Sequence, residues 1–281
     1  MIENDLRWLL ARSDVERAMR IMAKAKWDGD GQFLWYVRDR WPHYFNQSEY
    51  EEVYRIAAEV ELAQDLPAVL VQTASHRRYE AVREVISKIS PERCLDVGCN
   101  WGQYTINLEQ DLGGNWLGVD LDDALLSAGR QMARDRVQFT KEVPEGEKFD
   151  CLLLGDVLEH VVNPRWFLDN VLKSLAVGGF VVGTVPFGPV EYSMWMQSPT
   201  RGREHIREVV WADLRSYFSD YEELKISSTQ QGHCPYTGLA VGFTLWTAKK
   251  VSEGTPGAFS GPYLSEDLSM ESAPSRIPLP W

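Results

Sequence analysis

Hydrophobic and polar residues between positions 75 and 250 follow two periods in alternation. Short apolar runs at Cys94 to Val97, Trp116 to Asp120, Val137 to Phe139, Cys151 to Leu154 and Phe180 to Phe187 read as strands buried in a sheet. Between them apolar residues recur at helical spacing. Tyr79 to Lys88 carries Ala81, Val82, Val85 and Ile86 on one stripe, with Pro91 as its stop. Asp122 to Ala133, Trp166 to Leu175 and Val209 to Phe218 read as further helices, and Val177-Gly178-Gly179 as the turn that opens the fifth strand. Near the end, Thr244, Trp246 and Ala248 alternate as an edge-region strand should. Strands alternating with helices predict an α/β fold, three layers with a mostly parallel sheet in the middle.

Outside that region the pattern changes. Residues 1–74 read as helical, with capping-box spacings at Ser13/Glu16 and Ser48/Glu51 and a break at Pro42. The segment is rich in aromatics, among them Trp8, Trp27, Trp35, Trp41 and Tyr54. These residues suit the core of a small helical subdomain, the preferred reading, but also a lid over a site or a contact in a homo-oligomer. From Val251 onward Ser, Pro and Gly dominate without periodicity, which predicts a flexible tail with Phe259, Tyr263, Leu264 and Trp281 as anchors. The expected organisation is a helical cap over 1–74, an α/β domain over 75–250 and a tail over 251–281.

The first strand leads into the most informative stretch, CLDVGCNWGQY from Cys94 to Tyr104. A strand, a glycine-bearing turn and a helix let a ligand lie against backbone at Gly98 and Gly102, facing the first N–H groups of the helix. The next strand ends in Asp120, 18 positions after Gly102. A carboxylate there accepts hydrogen bonds from ribose hydroxyls in doubly wound folds; otherwise it caps the following helix. The order Asp96, Gly98, Asn100, Gly102 differs from the nicotinamide spacing G-x-G-x-x-G.

In these residues the chain resembles the class I S-adenosylmethionine-dependent methyltransferases, whose first motif is an acidic residue followed by G-x-G-x-G. The resemblance runs from Leu95 to about Lys249 and implies a Rossmann-like sheet with a final antiparallel pair, here EELKISS and GLAVGFTLWTAKK. It also implies S-adenosylmethionine as cofactor, held by Asp96, Gly98, Asn100, Gly102, Asp120 and Gly155, with Glu142 near the adenine amino group. Asn100 stands where the family has its middle glycine, and Asn tolerates left-handed backbone angles better than other non-glycine residues.

The second motif is GDVLEHVVNP, Gly155 to Pro164. It resembles the post-strand motif of the ubiquinone-biosynthesis-type O-methyltransferases and their small-molecule relatives. Open α/β sheets bind ligands beyond the carboxyl ends of their strands, which puts Asp156, Glu159 and His160 beside the transferred methyl group. His160 could take the proton of an attacking hydroxyl; Glu159 and His160 could equally cap the following helix. Some relatives bind a divalent ion through such a motif and a later histidine. Asp156, Glu159, His160 and His205 would be the set for magnesium or manganese, although Asp156 is shorter than the Glu those families carry. The site reading is thus His160, Glu159 and His205 for catalysis.

Arg77 and Arg78, at the entry of the helix from Tyr79, could reach a cofactor carboxylate, but surface charge is the preferred reading. The insertion Gly188 to Gly202, with Tyr192, Met194, Trp195 and Met196, would close a substrate pocket or meet a partner.

Charge narrows the partners. A net charge of −12 argues against extended contact with nucleic acid. No apolar run approaches a membrane span, and the N-terminus lacks a basic region followed by an apolar stretch, so a cytoplasmic setting is expected. The four cysteines have no C-x-x-C spacing and are expected to be reduced. The expected activity is methylation of a hydroxyl on a small, sugar-like or other metabolite. The rivals are methylation of RNA or protein, and a binding protein on this fold that has lost turnover.

Overall fold

The computed structural model describes Arg55, residues 58–161, 164–187, Val209, and residues 211–233 and 240–253. The expected lid aromatics up to Tyr54, the insertion at 188–202, His205, Cys234 and the tail from residue 254 lie outside the described residues. Chain order is α1 (Leu66–Ala74), α2 (Arg77–Ile89), β1 (Arg93–Val97), α3 (Gln103–Leu112), β2 (Asn115–Val119), α4 (Asp123–Met132), β3 (Val137–Thr140) and β4 (Phe149–Gly155). A 3-10 turn (Leu158–His160), α5 (Pro164–Val171), β5 (Leu175–Phe187), α6 (Trp211–Tyr217), β6 (Glu222–His233) and β7 (Ala240–Lys249) follow.

The seven strands form one sheet in the order β3-β2-β1-β4-β5-β7-β6. All neighbours are parallel except β5 with β7 and β7 with β6, which are antiparallel. The order runs outward in opposite directions from β1 and β4, so the crevice between their carboxyl ends is the switch point at which such sheets bind ligands.

Period-two alternation assigns the two faces. Leu95, Val97, Leu152, Leu154, Val181 and Val185 pack with Phe167, Leu168 and Val171 of α5 and Leu214 and Tyr217 of α6. Cys94, Cys151, Leu153 and Val182 face the other way, onto Tyr79, Val82 and Ile86 of α2, Ile106 and Leu108 of α3, and Leu125 and Leu126 of α4. Covering both faces excludes water from the central strands, which is why they read as unbroken apolar runs.

Several details differ from the sequence reading. The buried stripe of α2 is Tyr79, Val82 and Ile86, with Ala81 and Val85 at its flank. Ser90, left-handed at φ 51°, ends the helix before Pro91 is reached. The helix expected over Trp166 to Leu175 begins at Pro164 and stops at Val171, and Leu175 already belongs to β5. The turn at Val177-Gly178-Gly179 lies inside β5, where the register with β4 jumps from Phe149↔Leu175 to Cys151↔Phe180. That bulge is pinned by Gly178 N–H donating to the Lys250 carbonyl (2.7 Å) and Lys250 N–H donating to that of Gly179 (2.9 Å). Finally, β7 is interior: β6 covers its outer side, and Phe243, Thr244, Trp246 and Ala248 are all buried.

At the boundary of the expected cap, α1 docks on the α/β layer. Leu66, Val69 and Leu70 pack against the second core cluster, and Asn107 Nδ2 donates to the Leu70 carbonyl (2.9 Å).

Candidate functional site

The chain leaves β1 through a turn with three left-handed residues at alternate positions: Gly98 (φ 74°), Asn100 (φ 56°) and Gly102 (φ 88°). The turn is stitched to the end of β2, since the N–H groups of Gly98 and Cys99 both donate to the Val119 carbonyl (2.8 and 3.0 Å). Asn100 fills the middle position with its own side chain at work. Its Oδ1 accepts from Trp101 N–H (2.7 Å), and its N–H donates to Asp120 Oδ2 (2.8 Å). A short amide side chain can thus hold a left-handed turn that most residues would strain.

Gly98 and Gly102, expected to share one task, divide it. A Cβ on Gly102 would fall 2.3 Å from Cζ of Phe139. Gly102 lets α3 settle onto the Phe139 ring and does not border the cavity described next; the residues of the turn that line it are Gly98, Cys99 and Asn100.

Beyond the carboxyl ends of β1, β2 and β4 lies a cavity of about 300 Å³, at the lower end of the range for small-molecule sites. Asp96, Gly98 and Asn100 line it from the first turn, Gln103 and Tyr104 from the start of α3, and Asp120 from the end of β2. Gly155, Asp156, Val157 and His160 close it on the β4 side, and Ala58 and Glu61 reach it from the helical segment before α1. The structure therefore brings together Asp96, Gly98, Asn100, Asp120, Gly155, Asp156 and His160. Three of the expected residues stay apart: Gly102 packs on Phe139, Glu142 is exposed and borders a separate surface hollow, and Glu159 is buried, 1% exposed, without lining the cavity.

Burial sets the electrostatics of this wall. Asp96, 3% exposed, accepts from Thr105 Oγ1 (2.6 Å), yet loss of water pushes its carboxyl up to about 7. Asp120 accepts from Asn100 and from Asp122 N–H (3.2 Å) and is pushed up to about 6, again by burial first. Tyr104, half-buried against Tyr79 in an edge-on contact (5.4 Å between centroids), is raised to about 12 by the same cause.

Arg78 is the main residue that sequence reasoning undervalued. It is not surface charge: its side chain is 18% exposed and ion-paired with Asp156, and its guanidinium lies 5.4 Å from the centre of the Phe243 ring. Burial lowers its pKa, while the neighbouring Tyr104 and Glu159 hold it up. A signal was available, because an arginine in the first turn of a helix meets the positive end of the macrodipole and needs a counter-charge. Thr184 was not distinguishable from any strand threonine; its Oγ1 donates to Asp156 Oδ1 (3.0 Å).

The metal set fits poorly on the described residues. Both oxygens of Asp156 are engaged, Oδ1 by Thr184 and Oδ2 by Arg78. Among the described residues no group of three or more His, Cys, Asp or Glu comes together to hold an ion.

Comparison with known proteins agrees with this picture. A family model described as a methyltransferase domain matches residues 73–234. The mitochondrial ubiquinone biosynthesis O-methyltransferase of Candida albicans is 31% identical over 113 residues, covering 36% of this chain and 35% of that protein. The demethylmenaquinone methyltransferase of Clavibacter sepedonicus is 27% identical over 132 residues, 44% of this chain and 54% of that one. The chain thus spans about a third to a half of the length of these curated relatives. The crystal structure of N-methyltransferase NodS from Bradyrhizobium japonicum WM9, in complex with S-adenosyl-l-homocysteine, aligns with TM-score 0.53 and 17% identity, over 71% of this chain and 99% of that one. It shares the fold. With a family match over more than half its length, a sheet of that fold and a cavity at its switch point, this chain belongs to the methyltransferase domain family.

Proposed function

We propose that the chain is an S-adenosylmethionine-dependent methyltransferase acting on a hydroxyl group of a small molecule. The observation that carries the reading is the charge pattern at the switch point. Asp96, Asp120, Asp122 and Asp156 line one cavity, and the guanidinium of Arg78 stands behind Asp156. Acidic groups suit the ammonium and sulfonium of S-adenosylmethionine, and a lone cation suits its carboxylate. When bound, the cofactor supplies an electrophilic sulfonium methyl group.

The chain's own residues then have distinct tasks. Asp120 accepts the ribose hydroxyls and ties them to the turn through Asn100. Arg78 receives the carboxylate; its Nε–H is buried and has no hydrogen-bond partner among the described residues. His160, at the β4 side of the cavity, takes the proton of the attacking hydroxyl as the carbon–oxygen bond forms and the carbon–sulfur bond breaks. Holding acceptor and methyl carbon in line supplies much of the rate. The O-methyltransferase name of the Candida albicans relative supports a hydroxyl acceptor, and the free thiols of Cys94, Cys99 and Cys151 are compatible with a reducing cytoplasmic setting. Asn100 keeps the left-handed turn, so its presence lends no support to a scaffold that has lost its cofactor site.

The test is calorimetric titration with S-adenosylhomocysteine, followed by a turnover screen of hydroxylated acceptors. His160→Ala should bind S-adenosylhomocysteine as wild type does and turn over about 10² to 10⁴ times more slowly. Undiminished turnover in that variant would remove the general-base role; absence of binding to the wild type would remove the cofactor.

A further inference from the structure

The wall of the cavity on the β4 side holds an arrangement that neither the family match nor the relatives assign. Arg78 enters α2 in its first turn, where the helix end is itself positive, with most of its side chain hidden from water. A guanidinium in that place persists only with a counter-charge and a fixed orientation. Asp156 supplies the charge, the buried Glu159 adds to the field, and the Phe243 ring provides a face for the cation.

Asp156 is itself clamped. Its backbone is left-handed at φ 55°, a conformation that non-glycine residues seldom adopt. Thr184 of β5 holds it at two points: the Thr184 carbonyl accepts from Asp156 N–H (3.0 Å), and Thr184 Oγ1 donates to Asp156 Oδ1 (3.0 Å). One oxygen is therefore spent on orientation and the other on Arg78.

We propose that Asp156 and Thr184 are positioning residues for Arg78, and that Arg78 is the fixed cation behind this wall. The proposal rests on the reading that Arg78 receives the cofactor's carboxylate.

The full-length chain is titrated with S-adenosylhomocysteine and with 5′-methylthioadenosine, which lacks the carboxylate and the amine. The preference for the first over the second reports what the amino-acid end contributes. Asp156→Asn keeps the shape and loses the charge. It should cut that preference about tenfold, the worth of a hydrogen bond to a charged group, and leave 5′-methylthioadenosine affinity within about twofold. Arg78→Gln should lower the preference further than Asp156→Asn does, leaving the part contributed by the amine, and Asp156→Asn added to Arg78→Gln should lower it no further. EDTA or magnesium should change none of these values. Thr184→Val serves as the second variant where Asp156→Asn does not fold, with a loss of about threefold.

Loss of affinity for both ligands alike would make the role structural and overturn the proposal. So would a preference that stays constant or rises in Asp156→Asn, multiplying effects in the double variant, or an ion dependence that disappears with Asp156. If neither ligand binds the wild type, the cofactor reading falls and takes the positioning role with it. If both bind and Arg78→Gln keeps the preference, the cofactor reading stands and only the proposal fails.

Discussion

At the β1–β2 end of the cavity, the polar groups come from one short length of chain, and at the β4–β5–β7 end they come from segments far apart. Asn100 bonds Asp120 across 20 residues and Thr105 bonds Asp96 across nine. Arg78, Asp156, Thr184 and Phe243 meet only because α2, β4, β5 and β7 converge. The first half is a turn whose geometry is set locally by left-handed residues, while the second depends on sheet closure. A local turn tolerates a substitution such as Asn100 that keeps its backbone angles. A convergent cluster has its charges balanced by burial, so removing one member leaves another exposed to the cost of an unpaired charge.

That contrast can be broken by experiment, and the largest effect is expected at Asp120. Asp120→Ala removes the carboxylate proposed to accept two ribose hydroxyls, so it should weaken S-adenosylhomocysteine and 5′-methylthioadenosine alike, by about hundredfold. Arg78→Gln should affect only the first ligand. Equal losses for both ligands in the Arg78 variant would show that the two halves do not divide the cofactor as described.

Next in size is a pair of glycines. Phe139 is wedged among Gly102, Gly118 and Gly129, so a methyl group on Gly102, at φ 88°, cannot be accommodated by a small ring movement. Gly102→Ala should lower unfolding stability by about 2 kcal/mol in urea denaturation. Gly155 faces the cavity, where a Cβ would meet only Tyr104, at 3.9 Å. Gly155→Ala should leave stability within about 0.5 kcal/mol and instead weaken cofactor binding. If the Gly155 variant were the less stable of the two, the division between packing and ligand glycines would be wrong.

The smallest effect is on pH. Asp96 and Asp120 are raised by burial, to about 7 and about 6, so each holds its proton more tightly folded than unfolded. Their contribution to stability is therefore full below the unfolded carboxyl value of about 4 and is withdrawn as pH rises from there to the folded values. Thermal melts of the ligand-free chain should show that loss between about pH 4 and pH 7. Ligand affinity should run the other way, because the ribose needs an ionised Asp120. S-adenosylhomocysteine affinity should fall about tenfold from pH 7.5 to pH 5, since one unit below its pKa a carboxyl is about a tenth ionised. Asp120→Asn should flatten that profile; a profile unchanged by the substitution would detach the pH response from Asp120.

Legibility in the sequence follows the same boundary. The strands around Leu95, Leu117 and Leu153 are readable because burial on both faces demands mostly apolar residues, Asp96 being the buried exception in β1. Gly98, Asn100 and Asp120 were readable because their spacing is fixed by a single turn. The bulge at Gly178 reads in sequence as a connecting turn, since a glycine pair looks the same in both, and only pairing with Lys250 distinguishes them. Glu142 looked suitable by position after β3, yet its side chain is exposed and borders another hollow. Arg78 read as surface charge because nothing near it in sequence announces Asp156 or Phe243.

The sequence by itself determined the alternating α/β order, the switch-point turn and the acidic residue at the end of β2, because each is encoded by neighbours within a few residues to a few tens of residues. Only the tertiary structure decided that Gly102 serves packing, that Glu159 is buried without lining the cavity and that Arg78 pairs with Asp156, itself bonded by Thr184, and lies over the Phe243 ring. Those are outcomes of which helix lies over which strand, and no local spacing in the chain specifies where two distant side chains will be deprived of water together.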